Sequence, residues 1–142
     1  MKILIPVDGS PTTKRMLAFL TTHGEWLGAG HSWTVLTVVP SVPPRAAAVI
    51  DKATLKSYYE DEAEKVFKPI RAFLKKQAPT DDVQFVSKVG SAADTVAQFA
   101  AKGDSDLIVM GSHGHTNLMN LVMGSVATKV LAQCQVPVLL VR

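Results

Sequence analysis

Apolar positions along this chain fall into two alternating kinds of segment: short unbroken runs, and longer stretches in which they recur every three or four residues. Residues 2–7 (KILIPV) form the first run and stop at Asp8-Gly9-Ser10-Pro11. An uninterrupted apolar run of this length fits a strand buried on both faces of a parallel sheet. Pro6 cannot donate to a ladder, so it belongs at the strand's end or at a bulge, with pairing lost just before Asp8. Ser10 can then cap a helix with Pro11 at its first position. Met16, Phe19, Leu20, His23, Trp26 and Leu27 recur at helical spacing as far as Gly28 and Gly30. Residues 33–39 (WTVLTVV) are rich in β-branched side chains, end at Pro40 and read as the second strand, followed by a loop with Pro43 and Pro44.

From Ala53 to about Gln77, one helical face is drawn by Tyr59, Ala63, Val66, Phe67, Ile70, Phe73, Leu74 and Gln77. Pro69 interrupts it, and a missing donor together with a clash against the preceding turn predicts a kink or a break there. Residues 83–89 alternate apolar and polar positions, as an outer, less buried strand would. Ser91 followed by Asp94 has capping-box spacing ahead of Ala92, Ala93, Val96, Phe99 and Ala100. Residues 106–110 (DLIVM) make a fourth strand. Ser125 can cap a last helix running through Cys134, and residues 138–141 (VLLV) make a fifth strand.

Strand and helix therefore alternate along the whole sequence. That order predicts right-handed crossovers and an α/β fold, a doubly wound parallel sheet with helices on both faces. In such sheets ligands bind beyond the carboxyl ends of the strands, where the strand order reverses. The segments to inspect are 8–11, 38–41, 90–92 and 111–125. The least patterned segment, residues 46–56, is a candidate cover for that site.

A length of 142 residues suits one domain spanning 1–142, and 47% hydrophobic against 19% charged residues excludes a disordered chain. The formal charge of +3 raises nucleic acid as a partner, but its distribution does not support one. Lys52, Lys56, Lys65, Lys68, Arg71, Lys75 and Lys76 interleave with Glu60, Asp61, Glu62 and Glu64, which is the pattern of a solvated helix face. More unusual are residues 107–142, which contain no Asp or Glu while carrying Lys129, Arg142, His113 and His115. A local lack of carboxylates suits an anion. Cys134 is the only cysteine, so no internal disulfide can form and a reducing cytoplasm is the expected compartment. The first apolar run is too brief for a signal h-region, and nothing approaches the roughly 18 apolar residues of a membrane span.

The most informative segment follows the fourth strand. Gly111, Gly114 and Gly124, with Ser112 and Ser125 beside two of them, are spaced G-x2-G-x9-G-S between a strand and a helix. Glycine lets a ligand approach main-chain amides closely, and phosphate oxygens need such donors. Ser125 begins a helix whose free N–H groups and positive dipole end attract anions, and the Ser112 and Ser125 hydroxyls add donors. Glycines also serve ordinary turns, so the spacing gains its weight from the acid-free setting and from the long insert that returns a second arm to the same strand end. No G-x4-G-K-[ST] loop and no dinucleotide fingerprint is present. A His-x-His pair, His113 and His115, without a nearby Cys, Asp or Glu makes a poor metal site.

These segments together resemble the universal stress protein family: residues 3–10 (ILIPVDGS), 106–112 (DLIVMGS), the spaced glycines with Gly124-Ser125, and the ending 136–142 (VPVLLVR). The glycine spacing marks that family's ATP-binding members. The resemblance implies a five-stranded sheet of order 3-2-1-4-5 with ATP across the ends of the first and fourth strands. It implies that Pro6 and Val7 line the base pocket, and that Asp8 and the backbone of Val38 meet adenine or ribose. Gly111 and Gly114 would approach the ribose and phosphate chain, and Gly124, Ser125 and Val126 would donate to phosphates. Met110 and Ser112, flanking Gly111, complete the candidate set. His113 and His115 stand where the family often has a basic or small residue, and Asn117 where a further glycine is common.

The resemblance also implies a homodimer through the last strand, whose exposed edge needs a cover. ATP, with Mg²⁺ held by phosphate oxygens and waters where it accompanies the nucleotide, is the expected cofactor. No general base or arginine finger can be named, so hydrolysis is expected to be slow or absent. The alternative is a regulatory interaction protein that binds no nucleotide. A phosphotransfer receiver is excluded, because the third strand leads to Lys88-Val89-Gly90-Ser91 where a phosphorylatable Asp is needed.

Overall fold

The computed structural model describes residues 1–114 and 123–142. Its elements are β1 (Lys2–Pro6), α1 (Pro11–Thr22), α2 (Gly24–Leu27), β2 (Ser32–Val39), α3 (Pro44–Ala47), α4 (Lys52–Gln77), β3 (Val83–Val89), α5 (Ala92–Lys102), β4 (Leu107–Gly111), α6 (Ser125–Gln133) and β5 (Val138–Val141). All pairings are parallel and the sheet order is β3-β2-β1-β4-β5, the order expected from the sequence. The reversal lies between β1 and β4.

Period-two alternation sends successive side chains to opposite faces of the sheet. Ile3, Ile5, Trp33, Val35 and Val109 pack with Met16, Leu20, Phe67 and Ile70 under α1 and α4. Leu4, Leu36, Ile108 and Met110 pack with Ala93, Val96, Ala127 and Val130 under α5 and α6. Both faces are therefore covered, which is why β1 and β4 read as continuous apolar runs. β3, at one edge, is the least buried of the long strands, as its alternation predicts.

Several boundaries differ from the sequence reading. The first helix does not run to Gly28: it stops at Thr22, turns at His23 (φ −107°, ψ 32°) and restarts as α2. The turn lets Gly24 and Gly28 lie against Pro79, where a Cβ would come within 2.5 and 2.4 Å of the proline ring. It buries Leu27 and leaves Trp26 half exposed, so Trp26 is not on the core face. The Leu27 carbonyl accepts the buried Trp33 indole N–H at 2.8 Å.

Pro69 does not break its helix, which runs from Lys52 to Gln77 with Asp51 as N-cap. Pro69 lies on the exposed face, where water can reach the carbonyl that its missing N–H leaves without a partner. Ser91 is an N-cap but makes no side-chain capping bond, so the predicted capping box is not formed. At α6 the N-cap is Gly124, not Ser125, because the extended residue (φ −69°, ψ 160°) is Gly124 and Ser125 is already helical.

Candidate functional site

A cavity of about 500 Å³ opens at the carboxyl ends of β1, β2 and β4, beside the N-terminus of α6. Its position is the one the strand reversal predicts, and its size is that of a small-molecule pocket. All the predicted site residues line it: Pro6, Val7 and Asp8 after β1, Val38 on β2, Met110, Gly111, Ser112 and Gly114 after β4, and Gly124, Ser125 and Val126 at α6.

The segment after β1 is tied down by a local network. Asp8 Oδ1 accepts the Ser10 N–H at 2.9 Å and the Thr13 hydroxyl at 2.9 Å, while Thr13 Oγ1 accepts the Asp8 N–H at 3.3 Å. Ser10 in turn caps α1 by accepting from the Thr13 N–H at 3.4 Å. Gly9 supplies the left-handed conformation (φ +74°) that the tight turn needs. Next door, the Thr37 hydroxyl donates to the Val7 carbonyl at 3.0 Å, satisfying a backbone acceptor at the pocket floor.

The glycine arms meet directly. The Gly124 N–H donates to the Ser112 carbonyl at 2.6 Å, and Ser112 N–H donates to Val141 at 2.9 Å, so both arms are anchored to the sheet through Ser112. A Cβ on Gly124 would stand 3.1 Å from the Ser112 carbonyl and 3.2 Å from His113 Cα. One on Gly111 would stand 2.5 Å from Thr12 Cγ2, and one on Gly114 3.0 Å from Asp8 Oδ2. Ser112 Oγ lies 2.8 Å from His113 Nδ1. His115, Asn117 and most of the insert between Gly114 and Gly124 lie outside the described residues.

The sequence reading did not select Thr13, Thr37, Glu62 and Val66, all of which line the cavity. Thr13 carried a signal in its spacing from Ser10, and Thr37 was a polar residue inside an apolar strand. Glu62 and Val66 come from α4, whereas no residue of the candidate cover 46–56 lines the cavity. Glu62 Oε1 pairs with Lys65 Nζ at 2.7 Å, and this bond raises the Lys65 ammonium above its ordinary pKa.

Among the described lining residues there are two carboxylates, Asp8 and Glu62, and no Lys or Arg. No group of three or more His, Cys, Asp or Glu among the described residues is placed to hold a metal ion. Among the described residues, no helix is long and apolar enough to cross a membrane. Cys134 is half-buried, with Sγ 4.0 Å from the Ala97 carbonyl, and is not among the residues that line the cavity.

Comparison with known proteins agrees with this architecture. The family model described as universal stress protein family matches residues 1–142. Stress response protein NhaX of Bacillus subtilis is 33% identical over 99% of this chain and 97% of its own length. Universal stress protein MJ0577 of Methanocaldococcus jannaschii is 34% identical over 99% of this chain and 94% of its own. A solved structure of MJ0577 has a TM-score of 0.78 at 28% identity, covering 99% of this chain and 94% of that one. UspA from Lactobacillus plantarum, 20% identical, shares the fold with a TM-score of 0.80 over 100% of this chain and 97% of its own. More distant structures of the same fold are universal stress proteins in complex with cAMP, in complex with dAMP, and with AMP bound.

Proposed function

The chain belongs to the universal stress protein family, and from that premise we propose that residues 1–142 act as one domain that binds an adenine nucleotide, ATP in the stress-responsive state, and signals its presence to a partner. The observation that carries this reading is the meeting of the two glycine arms, Gly111 to Gly114 and Gly124 to Ser125, at the N-terminus of α6 and beside Asp8. Free N–H groups in the first turn of α6 are donors for a phosphate. Pro6, Val7, Val38 and Met110 give the apolar walls that a base needs, and Asp8 is a hydroxyl acceptor for ribose. The nucleotides held by relatives of the fold belong to the same chemical class.

In this reading ATP is held with slow or no hydrolysis, in the cytoplasm, and Mg²⁺ arrives on the phosphate chain. Among the described residues β5 has a single neighbour, β4, and in this reading its outer edge is the surface of a homodimer. Calorimetric titration with ATP, ADP and AMP tests the reading. Wild-type protein is expected to bind, and Gly114→Val combined with Gly124→Val to lose binding while remaining folded by circular dichroism. No heat with any of the three nucleotides at millimolar concentration refutes it.

A further inference from the structure

A separate cavity of about 320 Å³ lies between the N-terminal half of α4 and the carboxyl end of β3. Only one of its lining residues, Val39, also lines the larger cavity described above. Val39, Leu55, Tyr59 and Val89 give it apolar walls, and the Tyr59 hydroxyl is held by accepting the Val42 N–H at 2.9 Å. Its charged lining residues are three lysines, Lys52, Lys56 and Lys88, against one carboxylate, Glu60, a formal net charge of +2. Glu60 lies 3.8 Å from Lys56 in a solvent-exposed i, i+4 pair. Among the described residues, no carboxylate is paired with Lys52 or Lys88.

This arrangement works against the unliganded chain. Lys52 and Lys56 stand one turn apart on the same helix, where like charges repel. Lys52 is also in the first turn of α4, where the helix dipole disfavours a cation. The N-cap carboxylate, Asp51, accepts the Thr54 N–H at 2.9 Å and does not line the cavity. Lys88 joins them from another element, the edge strand β3. Packing does not dictate any of the three positions, since all three lysines are exposed. An anion among them relieves the repulsion.

We propose that this cavity is a second ligand site, which takes a phosphate monoester carried on a small apolar body. The phosphate carries close to two negative charges at neutral pH, a match for the net charge of the lining. Lysine ammonium groups bind it as point charges, and the Ser87 hydroxyl, also in the lining, adds a donor. The apolar body lies against Leu55, Tyr59 and Val89. A cavity of this size is at the small end of ligand pockets, so the body is about one ring in extent. The site stands on its own residues and does not depend on the nucleotide reading.

The test is a titration of the full chain with phenyl phosphate at pH 7.5 and low ionic strength, read residue by residue from backbone amide chemical shifts. Saturable shifts are expected at residues 52–56 and 87–89, with a Kd of about 1 mM. Lys52→Ala and Lys88→Ala should each weaken binding about three- to fivefold, the effect of one exposed charge pair, while Lys68→Ala, on α4 but outside the cavity, should leave it unchanged. Benzoate, with one negative charge, should bind about fivefold more weakly than phenyl phosphate. The shifts should persist in saturating AMP. Absence of saturable shifts at these residues, or an equal loss in Lys68→Ala, overturns the site. Their disappearance in AMP assigns phenyl phosphate to the larger cavity and overturns the second site, leaving the nucleotide reading intact. Benzoate binding as tightly as phenyl phosphate overturns the assignment to a phosphate.

Discussion

Gly124→Ala probes the point on which the site depends, the contact between the two loop arms. The dihedrals of Gly124 (φ −69°, ψ 160°) are open to any residue, so alanine meets no conformational penalty. The penalty is steric. The new Cβ would stand 3.1 Å from the Ser112 carbonyl and 3.2 Å from His113 Cα, both backbone atoms, where relaxed contact begins near 3.4 Å. Ser112 cannot retreat freely, because its N–H is held by Val141 and its carbonyl by Gly124 itself. The arms must separate by a few tenths of an ångström, and overpacking of this kind costs about 1–3 kcal/mol, with one added methyl at the low end. Alanine is also a poorer N-cap than glycine. The expected fall in melting temperature is roughly 3–6 °C for a chain of this size. Because the separation moves the α6 amides away from Ser112, AMP affinity should fall about tenfold. Thermal melts with and without 1 mM AMP, together with calorimetry, measure both effects. A variant that melts within 1 °C of wild type and binds AMP within twofold would show that the arms do not form one cradle.

Thr13→Val removes the hydroxyl that bridges the Asp8 N–H and carboxylate; stability should fall by about 1–2 kcal/mol in urea denaturation, and AMP affinity should fall with it, while Thr13→Ser keeps both. Gly28→Ala would push a methyl to 2.4 Å from the Pro79 ring and 2.8 Å from the Gly24 carbonyl; a loss of about 1–3 kcal/mol is expected, with nucleotide affinity unchanged, and Pro79→Ala in the same chain should recover part of it. The Thr54 hydroxyl and N–H beside Asp51 hold its carboxyl below the ordinary value. A lowered folded pKa means that the Asp51 contribution is complete above the unfolded carboxylate range and fades as pH falls through the folded value. The urea midpoint should therefore drop as pH is taken below about 4, and Asp51→Asn should drop less over the same interval.

What could be read from the sequence followed from how strongly each element's environment constrained it. β1, β2 and β4 are buried on both faces, so runs such as KILIPV admitted little besides a parallel strand. The candidate site was legible for a related reason: strand ends at a reversal of order collect ligands, and Gly111, Gly114 and Gly124 cluster at one of them. Caps were not legible to the residue. Gly124 and Ser125 are both competent N-cap residues, and only the backbone turn decides between them. Glu62 and Val66 were hidden by the charge pattern of α4. Helical periodicity says which face of a helix is apolar, but not which turn reaches the carboxyl end of the sheet, so a carboxylate among many looked like one more solvated charge. The break at His23 was hidden likewise, since only Pro79, distant in sequence, explains why Gly24 and Gly28 turn there.

The opening between β1 and β4 has a cause in the chain itself. Along β1 the backbone groups face β2 and β4 in alternation: Lys2 offers its carbonyl to Asp106 beside β4, and Val7 sends its N–H to Leu36 on β2. By that alternation the N–H of residue 6 would point toward β4. Residue 6 is proline and has none. Pairing with β2 accordingly continues to Pro6↔Leu36, while pairing with β4 stops at Leu4↔Ile108. The sheet parts on the side where its strand order reverses, and the parting is one-sided because only one ladder loses its donor. Gly111 then allows the end of β4 to lie against Thr12, where a side chain would collide. One absent N–H and one absent Cβ thus shape a cavity at the reversal, between two strands whose central residues are buried.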